Sequence, residues 1–220
     1  CPTRRPPGAG PPCAPRPCQT SAAAANQRPP FPSPVDPVNR LFSPIPLGPF
    51  ELPNRIAVAP MCQYSADDGS MTDWHMQHLM TLAMSGVSVV TVEATGVERR
   101  GRISHGCTGL YSDHNERSMR RAIDAARAVA LPGKRFAVQL GHAGRKASTH
   151  IPWQGSGSLW AGEDPWPTCA PSAIPFADNW ATPEALDEGG MARVRDAFAQ
   201  AAQRAARAGF DIVELHMAHG

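Results

Sequence analysis

The chain has 220 residues, 42% hydrophobic and 18% charged, with a formal net charge of +2 at pH 7. That balance supplies neither a basic stripe for nucleic acid nor an electrostatic reason to sit on a membrane, so neither partner is expected. No stretch of about 18 apolar residues could span a bilayer, and no charged-then-apolar leader opens the chain, so a cytoplasmic address is the default expectation.

Between Cys1 and Val35 there is no acidic residue, and proline recurs among alanine, arginine and glycine. Residues 1–35 cannot bury enough apolar surface to order themselves and are expected to form a disordered tail. Transit peptides share the lack of acids, but so many prolines oppose the amphipathic helix such peptides need. Cys1, Cys13, Cys18, Cys62, Cys107 and Cys169 make no C-x-x-C pair, which argues against a disulfide framework or a zinc knuckle. Cys1 stands where an initiator methionine would, and the chain stops inside a motif at Gly220. The sequence is therefore expected to be an N-terminal fragment of a longer protein.

From residue 36 to 220 short β-branched runs alternate with helical patterns, the signature of parallel α/β structure. A small hairpin is predicted over residues 45–52, then a strand at Arg55-Ile56-Ala57-Val58-Ala59 and a helix over 73–85 closed by Gly86. Val87-Ser88-Val89-Val90-Thr91-Val92 is the most strand-like run, and Met119, Ile123, Ala126 and Ala130 recur at helical spacing after it. Residues 135–140 form the third strand. A third helix shows Val194, Phe198, Ala201, Ala205 and Ala208 on one face and is capped by Gly209; residues 211–215 are the fourth strand.

Four such strands with polar motifs at their C-terminal ends fit the N-terminal half of a (β/α)8 TIM barrel, whose whole form needs about 250 residues. A doubly wound sheet is the alternative, but the G-x-G-x-x-G expected after its first strand is absent. The long loop over residues 147–188 carries Trp153, Trp160, Trp166 and Trp180. It is expected to be an ordered excursion over the barrel mouth, with a dimer contact as the blander alternative.

The chemistry-bearing residues cluster where those strands end. After the first come Ala59-Pro60-Met61-Cys62-Gln63-Tyr64, with a thiol and a phenol two apart; Cys62 also reads as an ordinary small buried filler. After the second comes Glu93-Ala94-Thr95-Gly96, small enough for a flat ligand to approach the backbone. The third ends at Gln139, whose amide offers donors and an acceptor together, followed by His142-Ala143-Gly144-Arg145-Lys146. The fourth ends in His216 and His219, two imidazoles three apart that could grip one substrate oxygen. A metal site and a satisfied structural pair are the competing readings, although the H-E-x-x-H of zinc hydrolases is not present.

In spelling and order these segments resemble the Old Yellow Enzyme family of flavin-dependent ene-reductases, in particular its thermophilic-like or xenobiotic-reductase-like branch. The resemblance rests on Leu41-Phe42-Ser43-Pro44, Leu52-Pro53-Asn54-Arg55-Ile56, the Ala59–Tyr64 run, Val92-Glu93-Ala94, Gly101-Arg102-Ile103, Gln139 with His142 to Ala147, Ala170-Pro171-Ser172-Ala173 and His216-Met217-Ala218-His219-Gly220. It implies an FMN enzyme that takes hydride from NADPH or NADH and passes it to the activated C=C of an α,β-unsaturated carbonyl or nitro compound. It also implies a homo-oligomer when full-length.

By that resemblance Ala59, Pro60, Met61 and Cys62 line the isoalloxazine, Ala94 and Gln139 meet its polar edge, and Cys62 tunes its electron demand. His216 and His219 clamp the substrate oxygen beside Tyr64. The family's usual proton donor is a tyrosine directly after the His-Gly at which this chain stops, and the phosphate-binding loops follow later still. The fragment alone is thus expected to bind FMN weakly or not at all. An inactive truncated barrel, and an iron–sulfur relative of the dienoyl-CoA reductase kind, are the remaining alternatives; the Cys62 and Tyr64 pair opposes the latter.

Overall fold

A computed structural model of the chain describes residues 39–155 and 157–218. The tail expected over residues 1–35 and the imidazole of His219 lie outside the described residues.

The hairpin forms as expected, β1 (Ile45–Leu47) pairing antiparallel with β2 (Phe50–Leu52). Next come β3 (Ala57–Val58), α1 (Asp73–Ala83), β4 (Val89–Gly96), α2 (Asp113–Val129) and β5 (Arg135–Gly141). The long loop adds β6 (Cys169–Ala170) and β7 (Glu184–Ala185), and α3 (Glu188–Arg207) leads into β8 (Ile212–Leu215). The four main strands make one parallel sheet in the order β3-β4-β5-β8. Spatial order follows chain order, with α1, α2 and α3 as successive crossovers. A barrel winds in this way, whereas a doubly wound sheet reverses at a switch point.

Alternation along the strands divides the side chains between two apolar clusters. Val90 and Val92 of β4 and Phe136, Val138 and Leu140 of β5 pack against Leu79, Met119, Ile123, Ala201 and Ala205 of the three helices. Full burial of each larger side chain contributes about 1.5–3 kcal/mol. On the opposite face, Val89 and Ala137 at the strand starts meet Leu52 of the hairpin, with Ile45, Phe50 and Ile212 around them. The hairpin thus plugs the N-terminal end of the sheet.

Caps set the helix boundaries. The Ser112 hydroxyl accepts the Asn115 N–H at the start of α2, and the Asp187 carboxylate accepts the Gly190 N–H at the start of α3. Gly209 closes α3 with φ +93°. Gly86 does not play that part for α1, which ends at Ala83. The N–H groups of Met84 and Ser85 and the Ser85 hydroxyl already occupy the last carbonyls. The first predicted strand is also shorter than expected, pairing only over Ala57 and Val58.

Candidate functional site at the C-terminal strand ends

The second strand runs four residues beyond its predicted end, so the Glu93–Gly96 segment lies within β4 rather than after it. Its pairing with β5 slips between Val92 and Thr95, which leaves Glu93 and Ala94 opposite the single residue Gln139. Such a bulge re-aims the side chains beyond it. Here Ala94, Thr95 and Gly96 come to line a cavity, with the Thr95 hydroxyl 3.0 Å from that of Thr108.

Tyr64 is held in the left-handed region at φ +51°, a conformation that costs a non-glycine residue about 1 kcal/mol or more. The loop after β4 supports it: Ala66 N–H donates to the Gly106 carbonyl at 2.9 Å. A Cβ on Gly106 would lie 2.5 Å from the Tyr64 carbonyl oxygen, so only glycine fits there. Trp153 meets the phenol ring edge-on at 5.4 Å between centroids. Burial, with negative neighbours adding to it, pushes the Tyr64 hydroxyl up to about 12, so it keeps its proton at neutral pH.

The segment carrying Cys62 is pinned from beneath by Glu93. This carboxylate is buried, accepts the Gln63 N–H at 2.8 Å and meets His75 Nε2 at 3.0 Å. His75 Nδ1 accepts the Thr72 N–H, so the neutral ring carries its proton on Nε2 and donates to Glu93. A buried carboxylate with two donors is satisfied; with either removed it would be costly.

At the ends of β4, β5 and β8 lies a cavity of about 250 Å³ lined by Tyr64, Ala94, Arg102, His142, Lys146, Trp180 and His216, with glycines 96, 101 and 141 among its walls. Among the described residues the lining includes a guanidinium, an ammonium and two imidazoles but no carboxylate. Its field therefore suits an anionic or electron-rich group. Arg102 is fixed by donating to the Arg99 carbonyl and by Asp68 at 3.2 Å, beneath the Trp166 ring. His216 is fixed at the backbone, where its N–H donates to the Leu140 carbonyl at 2.8 Å.

The structure thus brings Tyr64, Ala94 and His216 onto one cavity. Ala59, Pro60, Met61, Cys62 and Gln139 are not among its lining residues. Met61 is exposed and Cys62 half-buried on the loop after β3, while Gln139 is buried on the inner face and donates to Glu214 at 2.7 Å. Arg102, Lys146 and Trp180 stand at the cavity without having been singled out as site residues, although Gly101-Arg102-Ile103 was visible as a motif. The loop over residues 147–188 is built around turns and the β6–β7 ladder, and it delivers Thr149 and Trp180 to the cavity, as its aromatics suggested.

Glu98, His142 and Cys169 lie close enough together to hold a metal ion. His142 Nδ1 accepts the Gly144 N–H, which leaves the proton on Nε2 facing Glu98 at 3.3 Å. Arg100 and Arg193 also pair with that carboxylate. The trio is satisfied by its own hydrogen bonds and charges, and burial lowers the His142 pKa so that the ring stays neutral.

Comparison with known proteins agrees with this geometry. Residues 40–220 match the profile of the NADH:flavin oxidoreductase / NADH oxidase family. An NADH:flavin oxidoreductase of Gibberella zeae is 38% identical over 198 residues, covering 88% of this chain and 47% of that protein. The NADPH dehydrogenase of Bacillus subtilis is 36% identical over 183 residues, covering 82% and 49%. The chain spans about half the length of the curated relatives it matches. Among solved structures, morphinone reductase superposes with a TM-score of 0.64 at 31% identity, over 80% of this chain and 47% of that one. Another morphinone reductase structure holds tetrahydroNAD, and the Old Yellow Enzyme from Pichia shares the fold at TM-score 0.67 and 24% identity. These matches support FMN and NAD(P)H as the cofactors and half a TIM barrel as the fold. Among the described residues no helix is long and apolar enough to cross a membrane. With its parallel sheet, its electropositive cavity and its matched residues in agreement, the chain belongs to the NADH:flavin oxidoreductase / NADH oxidase family.

Proposed function

We propose that this chain is the substrate-facing half of an FMN-dependent ene-reductase that reduces the activated C=C of α,β-unsaturated carbonyl or nitro compounds at the expense of NADPH or NADH. The observation that carries the reading is the cavity at the strand ends, where His216 and the protonated phenol of Tyr64 share walls with Arg102 and Lys146 and no Asp or Glu stands among the described lining residues. A carbonyl or nitro oxygen gains negative charge as its conjugated double bond is reduced, and donors already aimed at that charge lower the barrier.

The residues present also fit the flavin. An isoalloxazine has a polar edge of acceptors and donors beside a flat apolar body. The inner-facing amide of Gln139, with one N–H committed to Glu214, and the bulged Ala94 match such an edge and plane. When bound, FMN supplies the hydride chemistry. In this reading Ala59, Pro60, Met61 and Cys62 face the ring, held at a fixed height by the bond from Gln63 N–H to Glu93. Tyr64, His216 and His219 hold the substrate oxygen, and Trp180 keeps water out of the mouth.

The test uses the full-length protein, following NADPH consumption with cyclohexenone. His216→Ala is expected to lower kcat by about 10²–10³, the usual cost of one donor to a developing oxyanion. Full turnover in the variant, or a colourless wild-type protein, would falsify the proposal.

A further inference from the structure

Lys146 stands in the cavity wall without a part in holding the substrate oxygen. It ends the short 3-10 turn Gly144–Lys146 that follows β5, and it lines the cavity together with Arg102. Among the described residues its ammonium pairs with no carboxylate and lies instead 4.4 Å from the centre of the Phe176 ring. Arg102 differs in this respect. It shares Asp68 with Arg99, at 3.2 Å and 2.9 Å, so its charge is already offset.

The backbone around Lys146 is stitched to the neighbouring loop. Ala143 N–H donates to the Gly101 carbonyl at 2.8 Å, and the Thr149 N–H and hydroxyl both donate to the Ile103 carbonyl, at 3.0 Å and 3.2 Å. Lys146 N–H closes its own turn on the Ala143 carbonyl at 3.0 Å. The main chain is thus fixed while the ammonium is held by a ring face. Phe176 is exposed and meets Trp180, another lining residue, at 4.9 Å between centroids. A ring face holds an ammonium less firmly than a carboxylate, which offers a full opposite charge and hydrogen-bond acceptors together.

We propose that the cavity takes substrates bearing a carboxylate in addition to the conjugated carbonyl, and that Lys146 selects them by pairing with that carboxylate. Selection of this kind rests on the ene-reductase reading of the same site.

The two kinds of donor suit two kinds of charge. A carbonyl oxygen gains its charge only during reduction, and Tyr64 and His216 are placed for it. A permanent ammonium suits an anion that is present before the reaction begins. A neutral enone leaves Lys146 on Phe176, whereas a carboxylate, ionised at neutral pH, draws it into the cavity. That charge is the same in the bound substrate and in the transition state, so the contribution of Lys146 appears in KM rather than in kcat. The cavity volume of about 250 Å³ lies below the range of about 300–1,000 Å³ that drug-sized ligands occupy, so the substrate is a small unsaturated oxo acid.

The test compares trans-acetylacrylate with its methyl ester as substrates of the full-length protein and NADPH. The KM of the acid is expected to be about tenfold or more below that of the ester, the effect of one charge-assisted hydrogen bond. Lys146→Met should raise the KM of the acid about tenfold more than that of the ester, and Lys146→Arg should keep most of the preference. Equal KM values for acid and ester in the wild type, or an equal rise for both in Lys146→Met, overturn the role of Lys146. Isothermal titration calorimetry with levulinate and methyl levulinate, the saturated pair, reads binding without turnover. Tighter binding of levulinate that is lost in Lys146→Met supports the carboxylate site even if neither alkene is reduced, in which case only the ene-reductase reading fails. Equal affinities for the saturated pair overturn the carboxylate site and leave that reading standing.

Discussion

The two ends of the same four strands are built on opposite principles. At the N-terminal end Leu52, Val89 and Ala137 meet beneath the hairpin, apolar against apolar, and Arg135 lies over the Phe50 ring at 4.3 Å. At the C-terminal end glycines and a bulge replace bulky side chains, Tyr64 is kept in a strained backbone conformation, and cations surround a cavity. One end supplies stability and the other spends some of it on a site. Substitutions should therefore sort by which end they touch.

Glu93→Leu is expected to have the largest effect, because it strips the acceptor from the buried His75 and the half-buried Gln63 N–H at the functional end. A loss of about 3–5 kcal/mol in chemical denaturation should accompany loss of bound flavin in the full-length protein. If flavin is retained at normal occupancy, Glu93 does not hold the Cys62 segment in place. Leu52→Ala probes the other end and should cost about 2–3 kcal/mol by leaving a cavity, with the flavin spectrum of the folded fraction unchanged.

His142 makes a pH-dependent contribution. Its folded pKa is lowered, by burial first, so the unfolded chain takes up the proton first and stability falls as pH drops below about 6.5. The loss should grow by no more than about 1.4 kcal/mol per pH unit and stop once the folded imidazole is itself protonated. Denaturation midpoints measured between pH 5 and pH 8 should show that slope in the wild type and less of it in His142→Gln. Ser112→Ala is the smallest change: loss of the α2 cap costs about 1 kcal/mol and, despite its place at the functional end, should leave ligand binding untouched.

Apolar periodicity made the four strands and three helices legible, because Val89 to Val92, Phe136 to Leu140 and Ala201 with Ala205 are local patterns. Tyr64, Ala94 and His216 were legible as well, as motifs at strand ends. The bulge was not, since it is a mismatch between two strands and neither carries its signal alone. Nor was the Glu93–His75 pair, whose members are separated along the chain and meet only when α1 packs beside β4. Gly86 misled because the carbonyls it was expected to serve were already taken by its neighbours.

Trp180 stands in the cavity wall, and Trp153 touches Tyr64 beside it. Indole emission responds to whatever enters its surroundings. An incoming ring or carbonyl compound should therefore quench the intrinsic fluorescence of the protein, giving a label-free titration of occupancy before any turnover is measured.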